Sequence, residues 1–181
     1  MWWPDQLTRI CAVLALAGLT AGCFQPLYAD KAGLGADVGE KLKTVDVAPI
    51  DLPNGRRLSR VGVGVRNELI YDLTGGGGVA SSLYRLDIKL TSTAAQVVVD
   101  INTARPEVQN YGIDASYTLT DLATGKSVIK GTTFSRVSYD IPGQEQRFAG
   151  ERGLRDAEDR AAKVIAESIH SRLASFFVTG S

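Results

Sequence analysis

The chain has 181 residues, the length of a single domain or of a domain with a tail. Its 20 Lys and Arg residues balance its 20 Asp and Glu residues, so the formal net charge is zero. Nucleic acid attracts a basic surface, and this balance therefore predicts no nucleic-acid partner.

The N-terminal segment has the order of a secretory signal. Residues 10–19 are apolar and are followed by Thr20-Ala21-Gly22-Cys23. This run is shorter than the roughly 20 residues that span a bilayer, and small residues before a cysteine are typical of a bacterial lipoprotein signal. We predict a signal peptide at residues 1–22 and an acylated Cys23 that anchors the chain without spanning the membrane. The alternative is a buried first helix with Cys23 in the core, and Thr20 departs from the usual leucine of the motif.

Residues 29–43 are rich in glycine, alanine and aspartate and show no periodicity, so we predict an acylated N-terminus and flexible tether over residues 23–43. The domain is expected over residues 44–178. It starts with a short strand in which Val45 and Val47 alternate with polar or small residues, and Pro49 confines this strand to an end or edge of a sheet.

A helix is expected next, because apolar residues recur every three or four positions between residues 56 and 73. Its apolar positions are Leu58, Val61, Val65, Leu69 and Leu73. The glycines at 75–78 follow it directly, and we expect them to end the helix.

Alternating apolar and polar residues predict three further strands. They cover residues 84–91, 113–120 and 127–139, with a turn at 121–126. The first could continue into residues 94–101, where Val97, Val98 and Val99 break the alternation and indicate a bulge.

The last element is a helix over residues 151–177. Its predicted apolar stripe contains Leu154, Ala157, Ala161, Val164, Ile165, Ile169, Leu173 and Phe176. Glu158 and Asp159 are expected on a solvated face among charge pairs four residues apart, such as Asp156 with Arg160.

The order β-α-β-β-β-α predicts an α+β fold. Two amphipathic helices are available to cover the apolar face of four half-polar strands. We therefore expect a two-layer sandwich in which a four-stranded, largely antiparallel sheet is covered on one face by two helices.

The sequence offers little catalytic chemistry. The single histidine, His170, is expected at the surface of the last helix, and no cluster has metal-ligand spacing. We predict no enzymatic activity, no metal and no cofactor. The remaining candidate is the connection at residues 94–110, where Arg105 precedes Pro106 in an extended or turn conformation and could engage phosphates or carboxylates. The alternative is an ordinary solvated arginine.

Six short motifs, taken with their order and spacing, resemble a known family. They are Gly22-Cys-Phe-Gln-Pro-Leu-Tyr28, Val65-Arg-Asn-Glu-Leu-Ile70, Thr103-Ala-Arg105, Tyr117-Thr-Leu-Thr-Asp121 with Thr124-Gly125, Ser138-Tyr139, and Ile169-His-Ser-Arg-Leu173. The chain is similar to the lipopolysaccharide-assembly lipoprotein LptE in its alphaproteobacterial form.

The resemblance implies a function by binding. Its implied partners are an LptD-like outer-membrane β-barrel, which such a protein plugs and helps to assemble, and lipopolysaccharide on its way to the cell surface. It implies lipopolysaccharide contacts at Arg105, with Arg147 and Arg152 as weaker matches. The implied location is the outer membrane, anchored through Cys23, on the periplasmic side or in the barrel lumen. The alternative function is a lipoprotein accessory of a lipid-transport ABC system or an envelope scaffold.

Overall fold

The computed structural model describes residues 34–52, 56–79, 81–99, 106–141 and 147–180. The described residues from Val38 onward belong to one compact unit. The predicted signal peptide and Cys23 lie outside the described residues, so both stay predictions. No helix among the described residues is long and apolar enough to cross a membrane.

Three helices and four strands make up the described part of the chain. In chain order they are α1 (Leu34–Leu42), β1 (Val45–Val47), α2 (Arg56–Thr74), β2 (Tyr84–Val99), β3 (Pro106–Asp121), β4 (Ser127–Asp140) and α3 (Arg147–Thr179).

The strands form one mixed sheet in the order β1-β2-β3-β4. β1 pairs parallel to the start of β2, with Val45 beside Tyr84, whereas β2, β3 and β4 pair antiparallel in succession. The helix α2 connects the two parallel strands, which a simple hairpin turn cannot do. The predicted α+β class with a largely antiparallel four-stranded sheet is confirmed.

The core lies between one face of this sheet and the helices. Alternate residues of the central strands point toward it and are almost fully buried, among them Leu86 and Ile88 on β2 and Ile113 and Leu119 on β3. The buried faces of α2 and α3 join the same hydrophobic cluster, which includes the fully buried Leu69 of α2. The opposite face of the sheet carries the exposed polar residues of the alternation.

Turn residues adopt the conformations that the sequence predicts. Gly75 has a φ of 71° and donates its N–H to the Tyr71 carbonyl at 2.8 Å, which closes the end of α2. Gly125, with a φ of 68°, donates to the Asp121 carbonyl at 2.8 Å in the turn before β4. Both positions lie in the left-handed region, which glycine enters without steric strain.

Several elements extend further than expected. α1 occupies residues that we predict as tether, and its Val38 and Leu42 are buried in the core. β3 begins at Pro106, so the connection predicted over residues 94–110 is reduced to residues 100–105. The predicted bulge is confirmed, because the pairing of β2 with β3 shifts register between Gln96 and Val98 and again between Val98 and Val99.

Two expectations for α3 are wrong. Val164, expected in the apolar stripe, is 45% exposed, whereas Glu158, expected on the solvated face, is only 1% exposed. Glu158 lies one turn before Ala162 and two turns before Ala166, which are both buried against the core, so it faces inward with them. The expected pair of Asp156 with Arg160 is formed at 2.7 Å.

Candidate functional site

The candidate site lies at the end of the molecule where β2 and β3 are connected. On β2, residues 91–95 are all exposed, and β2 and β3 still pair further along, at Val99 and Pro106. Arg105 immediately precedes Pro106 but lies outside the described residues. Its assignment therefore stays a prediction.

The other two candidate arginines lie at the start of α3. Asp140, the last residue of β4, pairs with Val108 near the start of β3, so the chain leaves the sheet at this same end before α3 begins at Arg147. Arg152 is exposed in the second turn of the helix. The structure thus places Arg147 and Arg152 in adjacent turns of one helix, whereas the side chain of Arg147 and its relation to Arg105 are not described.

Phe148 is a further candidate that sequence reasoning missed. Its side chain is 88% exposed in the first turn of α3, between the two arginines in sequence. An aromatic ring that is this accessible beside cationic residues offers an apolar contact next to anion-binding groups. The sequence does contain a signal for this residue, because Phe148 precedes the predicted apolar stripe of α3 and falls outside its period.

Ion pairs join the first turns of α2 to α3 below this end. Nη2 of Arg57 donates to both carboxylate oxygens of Glu151 at 3.1 Å, and both side chains are more than half exposed. Arg60 pairs with the buried Glu158 through Oε2, whereas Glu158 Oε1 is buried without a hydrogen-bond partner. Arg57 and Arg60, which were not singled out in the sequence, therefore connect α2 to α3 through Glu151 and through Glu158, whose burial was not expected.

Tyrosines complete the inner side of this end. The hydroxyl of Tyr139 on β4 donates to Oε1 of Gln109 on β3 at 2.6 Å. Burial raises the pKa of Tyr139 and also that of Tyr111, and the positive charge of nearby Arg57 partly opposes both shifts. Both phenols therefore stay neutral at physiological pH and act as hydrogen-bonding groups.

The prediction of no enzymatic activity depends mainly on the single histidine, His170, which lies near the other end of α3 from the candidate site. It is half-buried on α3, and burial lowers its pKa while Asp72 on α2 opposes the shift. Among the described residues, no group of three or more His, Cys, Asp or Glu side chains is arranged to hold a metal ion. The described residues of the site can therefore bind a ligand through arginine side chains, hydroxyl groups and the exposed ring of Phe148.

The described residues thus form a small α+β domain with a four-stranded mixed sheet. Residues 42–173 match the family model described as LptE, lipopolysaccharide-assembly, which covers well over half of the chain. The chain belongs to the LptE family. This is a family of non-enzymatic, outer-membrane-associated lipoproteins, and membership supports a role in lipopolysaccharide assembly with an LptD-type partner.

Solved structures agree with this fold. A candidate lipoprotein from Caulobacter crescentus CB15 is 22% identical, with a TM-score of 0.63 over 81% of this chain and 99% of that one. The rare lipoprotein B from Shewanella oneidensis is 12% identical, with a TM-score of 0.53 over 75% of this chain and 95% of that one. A minor lipoprotein from Acinetobacter baumannii is 9% identical, with a TM-score of 0.50 over 74% and 92%. A comparison with curated protein sequences finds no match.

Proposed function

We propose that the chain is the lipoprotein subunit of a lipopolysaccharide translocon. In this role it plugs an LptD-like β-barrel, helps that barrel to assemble and assists delivery of lipopolysaccharide to the cell surface. The observation that carries the proposal is the family match over residues 42–173, which spans every strand of the sheet and both covering helices except the end of α3.

The surface chemistry supports a plug. The lumen of an outer-membrane barrel is polar, and its protein contents need a polar, charge-balanced exterior. The exposed face of the sheet is formed mainly by charged and hydroxyl side chains, with Phe134 as an exposed aromatic residue among them, and the whole chain has a net charge of zero. The same balance supports the prediction that nucleic acid is not a partner.

The anchor is the second part of the proposal. An acyl chain contributes about 0.8 kcal/mol per buried CH₂ group, and stable anchoring needs more than one chain. A multiply acylated Cys23 would hold the protein on the periplasmic side of the outer membrane or within the lumen of its partner. Mass spectrometry of the N-terminal peptide tests this directly, and an unmodified Cys23 in the mature protein would contradict it.

The function is tested by depletion. We expect depletion of the protein to lower both surface lipopolysaccharide and the amount of mature barrel, because an assembly subunit limits both. Unchanged levels of both would overturn the proposal. Purification from solubilised envelopes distinguishes this function from the alternative one. Capture of an inner-membrane permease in place of a large barrel would indicate an accessory subunit of an ABC transport system.

Arg105 is our primary candidate for contact with lipopolysaccharide, and Arg147 and Arg152 are weaker candidates. We expect Arg105→Ala to weaken lipopolysaccharide binding and to leave folding and barrel association intact, because a connection tip contributes little to the core. Crosslinking from position 105 to lipopolysaccharide is the measurement. Arg85→Ala is the matched control, because Arg85 is an exposed arginine at the other end of β2. Equal binding by the two variants, or no crosslink, would contradict the assignment.

A further inference from the structure

The face of the sheet that the helices leave open carries a depression of about 480 Å³. Six of its lining residues form two neighbouring rows across strands β2, β3 and β4. One row contains Thr91, Asp114 and Phe134, and the other contains Lys89, Ser116 and Thr132. The depression therefore combines an aromatic ring, both signs of charge and several hydroxyl groups, which are the groups that give a binding site its specificity.

A second depression, of about 440 Å³, adjoins the first. The two share Ser116 and Thr132, and the second extends to Lys130 and Gly131 of β4. We call the two together the open-face groove. Lys89 and Lys130 belong to its two parts, and the spacings of strands and residues place their Cα atoms about 12 Å apart. A groove of this extent accommodates more than one small ring.

The groove carries an excess of positive charge. The acids on this part of the open face are each paired with an arginine. Nη2 of Arg136 donates to both carboxylate oxygens of Asp114 at 2.7 and 3.0 Å, and Arg85 pairs with Asp87 at 3.4 Å. In contrast, Lys89 and Lys130 have no ion pair or hydrogen bond within the described part of the chain. Their ammonium groups are therefore available to an anionic ligand.

The hydroxyl groups of the groove are also available. The side chains of Thr91, Ser116 and Thr132 make no hydrogen bond to another described residue, although each hydroxyl can donate one and accept two. The Asp114 carboxylate accepts two bonds from Arg136 and has acceptor capacity left. A ligand that is rich in hydroxyl groups would complement this set.

Phe134 is the aromatic member of the groove. Its ring is 68% exposed although its neighbours are charged or carry hydroxyl groups, and the guanidinium carbon of Arg136 lies 5.4 Å from its centroid. Arg136 is itself held by Asp114 and by the Ile113 carbonyl at 3.1 Å, so the ring has a fixed cationic neighbour. A flat apolar ring beside hydroxyl groups fits a sugar, whose C–H groups stack on the ring while its hydroxyl groups form hydrogen bonds.

We propose that the open-face groove binds an anionic saccharide, the sugar portion of lipopolysaccharide. A sugar ring stacks on Phe134, and Lys89 and Lys130 pair with phosphate or carboxylate groups that the sugars carry. The anionic sugar follows from the groove, whereas lipopolysaccharide as its source rests on the proposed function. None of the residues of the groove belongs to the arginine site proposed above, so this is a further contact.

Binding of the sugar portion alone tests the groove. Removal of the acyl chains of lipopolysaccharide by alkaline hydrolysis leaves a phosphorylated saccharide, which is the probe, and a neutral glucose oligosaccharide is the control ligand. With the full-length protein in detergent solution, we expect calorimetry to detect binding of the probe and none of the control ligand. No binding of the probe, or equal binding of both ligands, would overturn the proposal.

Replacement of the aromatic ring locates the binding. We expect Phe134→Ser to weaken binding of the probe at least tenfold, and to leave the core intact because the ring is exposed. Tyr71→Ser is the matched control, since Tyr71 is 66% exposed and lies on α2, on the other side of the sheet. Equal affinities of the two variants would contradict the site.

Replacement of the lysines tests the charge. We expect Lys89→Gln/Lys130→Gln to weaken binding of the probe at least tenfold and to make it less sensitive to salt, because salt screens ion pairs. Lys163→Gln is the control, since Lys163 is an exposed lysine on α3. A double variant with the affinity and salt dependence of the natural chain would count against the inference.

These results are distinct from the tests of the proposed function. If depletion lowers surface lipopolysaccharide and mature barrel but the probe does not bind, the groove is wrong and the translocon function stands. If the probe binds and Phe134→Ser weakens it, while depletion changes neither level, the groove stands and the translocon function is wrong.

Discussion

Glu158 is a buried carboxylate whose two oxygens have different surroundings. Oε2 pairs with Arg60, which is 45% exposed, whereas Oε1 is buried without a hydrogen-bond partner. A buried polar atom without a partner costs about 1–3 kcal/mol, so Arg60 is the group that makes the burial of Glu158 tolerable. The pair links α2 to α3 close to the candidate site.

Removal of Arg60 should therefore be costly. We expect Arg60→Met to lower the free energy of unfolding by about 3 kcal/mol, because it leaves a buried charge without its partner. Arg57→Met is the matched control, since Arg57 pairs with Glu151, which is 58% exposed, and such pairs contribute about 1 kcal/mol or less. Urea denaturation of the two variants is the measurement. Equal losses would show that the burial of Glu158 has no special cost.

The charge pattern of α3 could not show which acid is buried. Alternating acids and bases predict a solvated face, and Asp156 with Arg160 fits that rule. Glu158 departs from it because Ala162 and Ala166, one and two turns later, form a second apolar row beside that of Ala157 and Ala161. Two adjacent rows of alanines are the signal of a wider buried face, and that signal was available in the sequence.

At the scale of elements, α1 is the part that periodicity did not predict. It has nine residues, contains glycine, and buries only Val38 and Leu42 among its described side chains. Short helices are marginal in isolation and depend on docking for their stability, so their sequence pattern is weak. The helix forms because Val38 and Leu42, one turn apart, both reach the core.

The contribution of α1 can be measured with one substitution. We expect Leu42→Ala to lower the free energy of unfolding by about 2–4 kcal/mol, as for other buried leucines. Glu40→Ala is the control, because this side chain is exposed and pairs with the exposed Lys43. Thermal or urea denaturation gives both values. A loss below about 0.5 kcal/mol for Leu42→Ala would contradict the docking of α1 and favour the predicted tether at residues 34–42.

The strands could be predicted best where apolar and polar residues alternate regularly. β2 and the second half of β3 alternate cleanly, and their core residues Leu86, Ile88, Ile113 and Leu119 are buried as expected. The first half of β3 is polar and carries Pro106, and it is a strand because β2 pairs with it residue by residue. Such pairing is a tertiary effect that the local sequence does not contain.

At the scale of the whole molecule, His170 connects stability to pH. Burial lowers its pKa in the folded protein, and Asp72 only partly opposes this shift. The unfolded chain, with an ordinary histidine pKa of about 6.5, therefore binds a proton more readily than the folded chain. Stability rises with pH wherever the unfolded state binds more protons, so it should fall as the pH drops through about 6.5 and level off below the folded-state pKa.

A single variant isolates this effect. We expect His170→Gln to remove this part of the stability loss between pH 7.5 and 5.5, and Asp72→Asn to extend the loss to lower pH. Urea denaturation at several pH values gives the curves. Parallel curves for His170→Gln and the natural protein would show that the histidine does not contribute.

The length of the β2–β3 hairpin has a consequence for a chain seated in a barrel. Each strand has 16 residues, and at about 3.3 Å per residue the hairpin is about 50 Å long. The apolar band of an outer-membrane barrel is only about 25 Å tall. A hairpin aligned with the barrel axis would therefore be roughly twice as long as that band is tall. Since β1 joins the sheet at the end opposite the β2–β3 connection, the connection and the chain's point of entry into the sheet would lie at different levels of the membrane.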